Sequence, residues 1–195
     1  MLASGTERLA DLAPGTSTYV ILLRAIGPVT HRLMSMAGWR QASEDAGFAA
    51  PQTLVATGNM VADFAGTAEE ATERMTAVLR GFGRRENVVP VLRRPALLDR
   101  LIAANPFAEA TERAAQVAAY FFVAKHPDLA WVGDYKGPAR LSVVDDHLLV
   151  DFGQDPSQAG ALIRRIEKQC GTSTARNWNT VQGLAKLCAN RGKAA

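Results

Sequence analysis

This sequence has little cysteine, little histidine and no long apolar run, and each shortage removes a class of protein. Its two cysteines, Cys170 and Cys188, are too few for a disulfide framework, and both read as reduced, half-buried thiols near helix ends. His31, His126 and His147 are scattered, and none has a second His or Cys three or four residues away. That excludes the common metal-ligand spacings, so no metal is expected. No apolar stretch approaches the length of a membrane span, so no membrane partner is expected. The opening "MLASGTERLADLAPGTST" has no cationic segment leading into an apolar one, being interrupted by Glu7, Arg8 and Asp11. The expected location is therefore the cytoplasm.

Catalytic signatures are equally scarce. Gly58, Gly81 and Gly83 lack the spacing of a phosphate-gripping loop or a dinucleotide fingerprint, and there is no nucleophile elbow or Cys-His signature. Kinase, dehydrogenase and hydrolase readings lose weight accordingly, and no cofactor is expected. An active site assembled from distant positions leaves no such local mark, so enzymes as a class stay open.

What is present is an ordinary globular composition. The 195 residues are 48% hydrophobic and 21% charged, enough for one domain or two small ones with a buried core. The net charge of +3 is mildly basic. Its densest segment holds Arg80, Arg84, Arg85, Arg93, Arg94 and Arg100 against Glu86 and Asp99. That segment reads either as a solvated helix end and strand or as a surface for anions or nucleic acid.

Hydrophobic patterning predicts the elements. "TYVILLRAI" (18–26) is a nearly continuous apolar run, as in a strand buried on both faces, ended by Gly27-Pro28. Leu33, Met36, Trp39 and Ala46 recur at helical spacing, with Gly47 as terminator. "TLVA" and "MVADF" flank "TGN" (57–59), the signature of a tight hairpin in which Gly58 supplies positive φ. Ala71, Met75, Val78, Leu79 and Phe82 mark a second helix, and "NVVPVL" a last strand whose Pro90 suggests an edge. Strand, helix, strand, strand, helix, strand is the split βαβ order of a ferredoxin-like unit.

After a helix begun by Pro95, the second half repeats this outline: strand "QVAAYFFVA", an irregular segment with "HPDLAW", strands "ARLSVV" and "HLLVDF" around a polar turn at Asp145-Asp146, and a helix from Pro156 to Cys170. "RNWNTVQGLAKLC" then reads as a final helix with Trp178, Val181, Leu184, Leu187 and Cys188 inward. The expected fold is α+β: a leader at 1–16 taken as disordered, a ferredoxin-like unit at 17–95, and a second α+β unit at 96–195, both with antiparallel sheets, plus a C-terminal helix.

One polar set stands out at the element ends: Arg24, Asn59, and Arg176, Asn177 and Asn179 at a helix start. A helix N-terminus offers unpaired N–H groups and a positive dipole end, and Arg176 beside it suits a phosphate or carboxylate. The plainer alternative is that Asn177 or a neighbouring Thr caps the helix while Trp178 packs in the core. If Arg176 has an internal partner instead, Asp63 and Asp151 are the candidate carboxylates.

The stretches "YVILLRAI", Gly47-Phe48, "TGN" at 57–59, "VPVLRR", "AANPF" and above all "TARNWNTV" (174–181) make the chain resemble the bacterial family of unknown function DUF1697. It departs from the family pattern after the first strand, where "RAIGPVT" replaces Arg-Gly-Ile-Asn and a Gly-rich turn, and at Thr57, where Ser is usual. The resemblance implies two ferredoxin-like halves and brings no established activity, catalytic residue or cofactor.

The function expected from these residues is a cofactor-free binding protein for an anionic ligand, either a phosphorylated small molecule or a nucleic-acid backbone, at Arg24, Asn59, Arg176, Asn177 and Asn179. The alternatives are an enzyme acting on a phosphorylated or carboxylated metabolite, and an interaction or dimerisation module, which an exposed apolar sheet face or edge strand would favour. The cysteine reading is directly testable: an intact mass taken after native, non-oxidising purification should equal that of the fully reduced chain, and a mass two hydrogens lighter would contradict it.

Overall fold

The computed structural model describes residues 15–24, 33–55, 57–83, 88–113, 116–153 and 159–191. The expected leader up to residue 14, the stop at Gly27-Pro28 and the helix start at Asp155-Pro156 lie outside them. The chain divides into two compact units, Met1–Pro95 with Gly183–Ala195, and Ala96–Gln182. The second unit thus ends within the last helix, and the residues from Gly183 onward group with the first unit instead.

In the first unit β1 (Thr16–Leu23), β2 (Phe48–Thr53), β3 (Asn59–Ala65) and β4 (Pro90–Arg93) form one antiparallel sheet in the order β2-β3-β1-β4. That is the strand order of a split βαβ unit. Along β1 the alternation places Tyr19, Ile21 and Leu23 in a core with Trp39, Met75 and Leu79, while Val20 and Leu22 on the opposite face are also fully buried. A strand buried on both faces needs the continuous apolar run seen there. Helix α1 (Met36–Asp45) starts where Ser35 Oγ accepts the Gly38 N–H at 3.0 Å, and ends before Gly47 at φ 93°. Helix α2 (Ala68–Gly81) starts on a reciprocal cap, Thr67 Oγ1 accepting from Glu70 N and Glu70 Oε2 from Thr67 N.

The hairpin differs from its sequence expectation. The second strand is Phe48–Thr53, earlier than "TLVA", and it carries a bulge between Ala49 and Gln52. Leu54 N–H donates to Asn59 O at 3.0 Å, so a longer loop, with Val55 at φ 48° and Gly58 at φ 74°, replaces the tight turn. The alternation of "FAAPQT" is hidden by the bulge, and only the register with β3 reveals it.

The second unit repeats the arrangement. After helix α3 (Pro95–Ala103), strands β5 (Val117–Phe122), β6 (Arg140–Val144), β7 (His147–Asp151) and β8 (Ser173–Asn177) form an antiparallel sheet in the order β6-β7-β5-β8. Between β6 and β7 the Asp145-Asp146 turn has both residues at positive φ, 46° and 57°, as a primed hairpin turn requires. Helix α4 (Ala159–Cys170) packs Leu162, Ile166 and Cys170 onto Tyr120, Phe122, Leu148 and Val150. Where the first unit has helix α1, the second has only a 3-10 turn, Ala130–Val132, which inserts Trp131 into the core.

Helix α5 (Trp178–Arg191) closes the chain, with Trp178, Val181 and Leu184 buried. In the first unit, a Cβ on Gly183 would lie 2.9 Å from Leu54 Cδ2, so a larger residue there would push the Leu54 side chain aside. At the helix end Arg191 is 5% exposed and pairs with Asp63 at 2.8 Å, while Asp63 accepts from Thr18 Oγ1 at 2.6 Å. Arg191 also donates to Ala50 O at 2.6 Å and Val61 O at 3.2 Å. Removing one member of a buried pair strands the other charge, which typically costs about 3–5 kcal/mol. Arg191→Met should lower the unfolding free energy by that amount, read as a lower urea midpoint at unchanged slope, and adding Asp63→Asn should restore part of it. An Arg191→Met variant as stable as the parent would show that the pair is dispensable.

Candidate functional site

The motif "TARNWNTV" is two elements. Residues Ser173–Asn177 form β8, an edge strand paired with β5, so Arg176 lies in a strand and not at a helix start. Only hydrogen bonding to β5 makes this stretch a strand, because it holds no large apolar residue. Thr174 and Arg176 alternate onto a buried face, and Arg176 is 8% exposed. Its Nη1 donates to Thr174 Oγ1 at 2.6 Å and to Ala175 O at 2.8 Å. Burial pulls the guanidinium down to about 10, still a cation at neutral pH. Asn177 is the cap of α5, its Oδ1 accepting the Thr180 N–H at 2.9 Å, and Trp178 is 2% exposed. Asn179 is exposed in the first turn of α5.

Arg24 and Asn59 belong to the first unit, and Arg176, Asn177 and Asn179 to the second. Asn59 is fully buried, and its Nδ2 donates to Leu54 O at 3.1 Å and Thr57 Oγ1 at 2.9 Å, ordering the hairpin loop. Arg24 is half-buried, with its backbone N–H on Val89 O at 3.0 Å. The carboxylates expected as partners for Arg176 hold other cations. Asp63 binds Arg191, and Asp151 binds Arg140 at 2.5 Å, where Glu109 joins the same guanidinium. In the basic stretch Arg94 lies over the Tyr19 ring at 4.3 Å, Arg100 pairs with Asp145 at 2.5 Å, and burial lowers Arg93. Arg84 and Arg85 lie outside the described residues.

An open pocket of about 380 Å³ lies in the second unit, between α4 and the segment that precedes β6. Its apolar wall is Tyr135, Pro138 and Leu162, and its charged groups are Lys136 and Arg165 against Asp134. Arg165, on α4, stacks over Trp131 at 4.6 Å and reaches Tyr135 at 5.9 Å. The two rings meet edge to face, 6.2 Å between centroids. In the first unit α1 packs against α2. The 3-10 turn that replaces that helix leaves the flank of α4 uncovered, and the pocket is this space. The segment with "HPDLAW" carries no periodicity along the chain. The signal there was two aromatics four residues apart beside a Lys-Gly-Pro turn, but nothing local joins them to Arg165.

The titratable groups beneath α4 stay uncharged at neutral pH. Burial, helped by Glu167, pushes Tyr120 up to about 12, and burial also raises the Cys170 thiol, which donates to Asp128 O at 3.1 Å. Neither is set up as a nucleophile or base. Among the described residues no group of three or more His, Cys, Asp or Glu is placed to hold a metal ion, and no helix is long and apolar enough to cross a membrane.

Two split βαβ sheets, with the strand order repeated and the first helix of the second unit reduced to a turn, define an α+β protein of doubled design. The chain belongs to the DUF1697 family of proteins of unknown function, whose family model matches residues 16–145. Among solved structures it is similar in fold to the conserved bacterial protein SP0830 from Streptococcus pneumoniae, with a TM-score of 0.70 at 15% identity, over 88% of this chain and 98% of that one. No curated protein matches it.

The Tyr120 shift sets an alkaline limit on stability. Its folded value of about 12 lies above the ordinary 10, so the stabilisation is complete below pH 10 and is lost as pH rises toward 12, where the unfolded chain ionises first. A rise from 10 to about 12 corresponds to at most roughly 2–3 kcal/mol. Between pH 10 and 12 the parent should therefore lose stability more steeply than Tyr120→Phe in denaturant titrations; parallel curves would refute the assignment.

Proposed function

We propose that this protein is a cofactor-free binding protein for an anionic small molecule with an apolar or ring portion, held in the pocket beside α4. The observation that supports it is the pairing of Arg165 and Lys136 with an apolar wall in one open concavity. Stacking on Trp131 and Tyr135 holds the Arg165 plane in place, so less side-chain freedom is lost when its N–H edges bind a phosphate or carboxylate in bidentate fashion. Lys136 adds a second cation, Asp134 accepts from a hydroxyl or amine of the ligand, and Tyr135 and Pro138 pack against its ring. A volume of about 380 Å³ suits a small ligand and sits at the low end of known sites.

This reading keeps the ligand class expected from the sequence and moves its contacts. Asn59 and Asn177 serve a loop and a helix cap, and Arg176 is too enclosed to meet a solute first. A cytoplasmic location belongs to the same reading and is supported by the two free thiols.

The test is a thermal-shift panel of inorganic phosphate, nucleoside monophosphates, sugar phosphates and small carboxylates. A ligand at a hundred times its Kd stabilises the folded state by about 2.7 kcal/mol, easily read as a shift in Tm. At least one member should raise the Tm of the parent and leave that of Lys136→Ala/Arg165→Ala unmoved. Binding of a mixed-sequence oligonucleotide that weakens steeply with salt would identify a nucleic-acid backbone as the anion instead. Silence across the panel and the oligonucleotide would refute the proposal.

A further inference from the structure

The two sheets have four edge strands, β2 and β4 in the first and β6 and β8 in the second. An edge strand carries unpaired N–H and C=O groups and invites pairing with another chain, so folded proteins blunt their edges. Three are blunted here, each with an arginine on a carbonyl of the edge strand. β2 has its bulge, Pro51 and Ala50 at φ 45°, with Arg191 donating to Ala50 O at 2.6 Å. β4 opens on Pro90 and is four residues long, with Arg93 Nη1 on Leu92 O at 2.8 Å. On β8, Arg176 donates to Ala175 O at 2.8 Å.

Among the described residues, β6 has none of these devices. Its register with β7 is regular from Arg140↔Asp151 to Val144↔His147, and it contains no proline. Its own arginine is turned to Asp151 and Glu109. Val143 is left 44% exposed.

We propose that β6 pairs antiparallel with β6 of a second copy of this chain, about a two-fold axis at Ser142, joining two four-stranded sheets edge to edge. The pair Val144↔His147 flanks a two-residue turn and exchanges hydrogen bonds, so by alternation the N–H and C=O groups of Leu141 and Val143 point outward. Centring on Ser142 sets Leu141 of one copy opposite Val143 of the other, and these outward groups bond each other in register. Leu141 and Val143 share the face that Leu141 already turns to the core, so pairing extends that face and covers Val143. Arg140 falls opposite Val144, so no like charges meet. The contact is self-complementary, as a two-fold requires, and small, so the dimer forms and dissociates with concentration. It does not depend on the ligand pocket.

Sedimentation of the full chain over a concentration series tests it. The parent should move from 20.9 kDa toward twice that mass as concentration rises. Val143→Lys should remain monomeric at every concentration with an unchanged Tm. In Ser142→Cys the new thiols face each other across the axis at a distance a disulfide spans, so mild oxidation should trap a covalent dimer that Val144→Cys does not form. A parent that stays monomeric, or a dimer that Val143→Lys leaves intact and Ser142→Cys fails to trap, overturns the proposal.

Discussion

A guanidinium donates hydrogen bonds in a plane and accepts none, whereas the edge of a β-sheet offers carbonyl oxygens that the sheet itself leaves unsatisfied. In this protein the first is repeatedly set against the second. Arg191 is the furthest-reaching instance, because it crosses from the last turn of α5 to the bulged edge of the first sheet and there also neutralises Asp63. The bulge that turns Ala49 and Ala50 toward Arg191 and the carboxylate on β3 are useful only together. Without Arg191 the buried Asp63 keeps only the Thr18 hydroxyl, and without Asp63 the buried cation keeps only carbonyl oxygens and no countercharge. The residues from Gly183 onward, Arg191 among them, group with the first unit.

The two units solve one topological problem with different coverings. Both place four antiparallel strands in the same order, and both bury a tryptophan against the first strand's helix-facing side, Trp39 in one and Trp131 in the other. In the first unit that tryptophan comes with a full helix. In the second it comes with a three-residue turn, so the sheet keeps its core residue while the neighbouring helix loses its lateral partner. A tryptophan is large enough to seal the core alone, which is why the helix can be shortened without exposing Tyr120 or Leu148. The uncovered flank of α4, with Arg165 laid on Trp131, is the consequence, and the open pocket lies there.

Arginine is thus used in two ways that chemistry separates. Arg176 and Arg191 are buried, and each donates to backbone oxygens as well as to a side-chain oxygen. Arg165 is exposed and lies over the Trp131 ring. Accessible, pre-oriented donors can serve recognition, as proposed for Arg165, whereas enclosed ones serve cohesion.

By itself the sequence determined what depends on neighbours along the chain. The apolar run from Tyr19 to Leu23, the helical spacing of Ala71, Met75 and Leu79, the Asp145-Asp146 turn and the Asn177 cap could all be read locally, and so could the order of elements behind the α+β fold. Tertiary structure alone decided what depends on distant partners. "STARN" became a strand because β5 lies beside it, and the second strand moved back to Phe48 because its bulge is visible only in register with β3. Arg191 became an anchor through Asp63, a residue more than a hundred positions away. Arg165 met Trp131 and Tyr135 only after a helix and a sheet had brought them together. Periodicity records which side of an element is apolar, but an ion pair, an edge strand or a pocket is a relation between elements, and no local pattern encodes it.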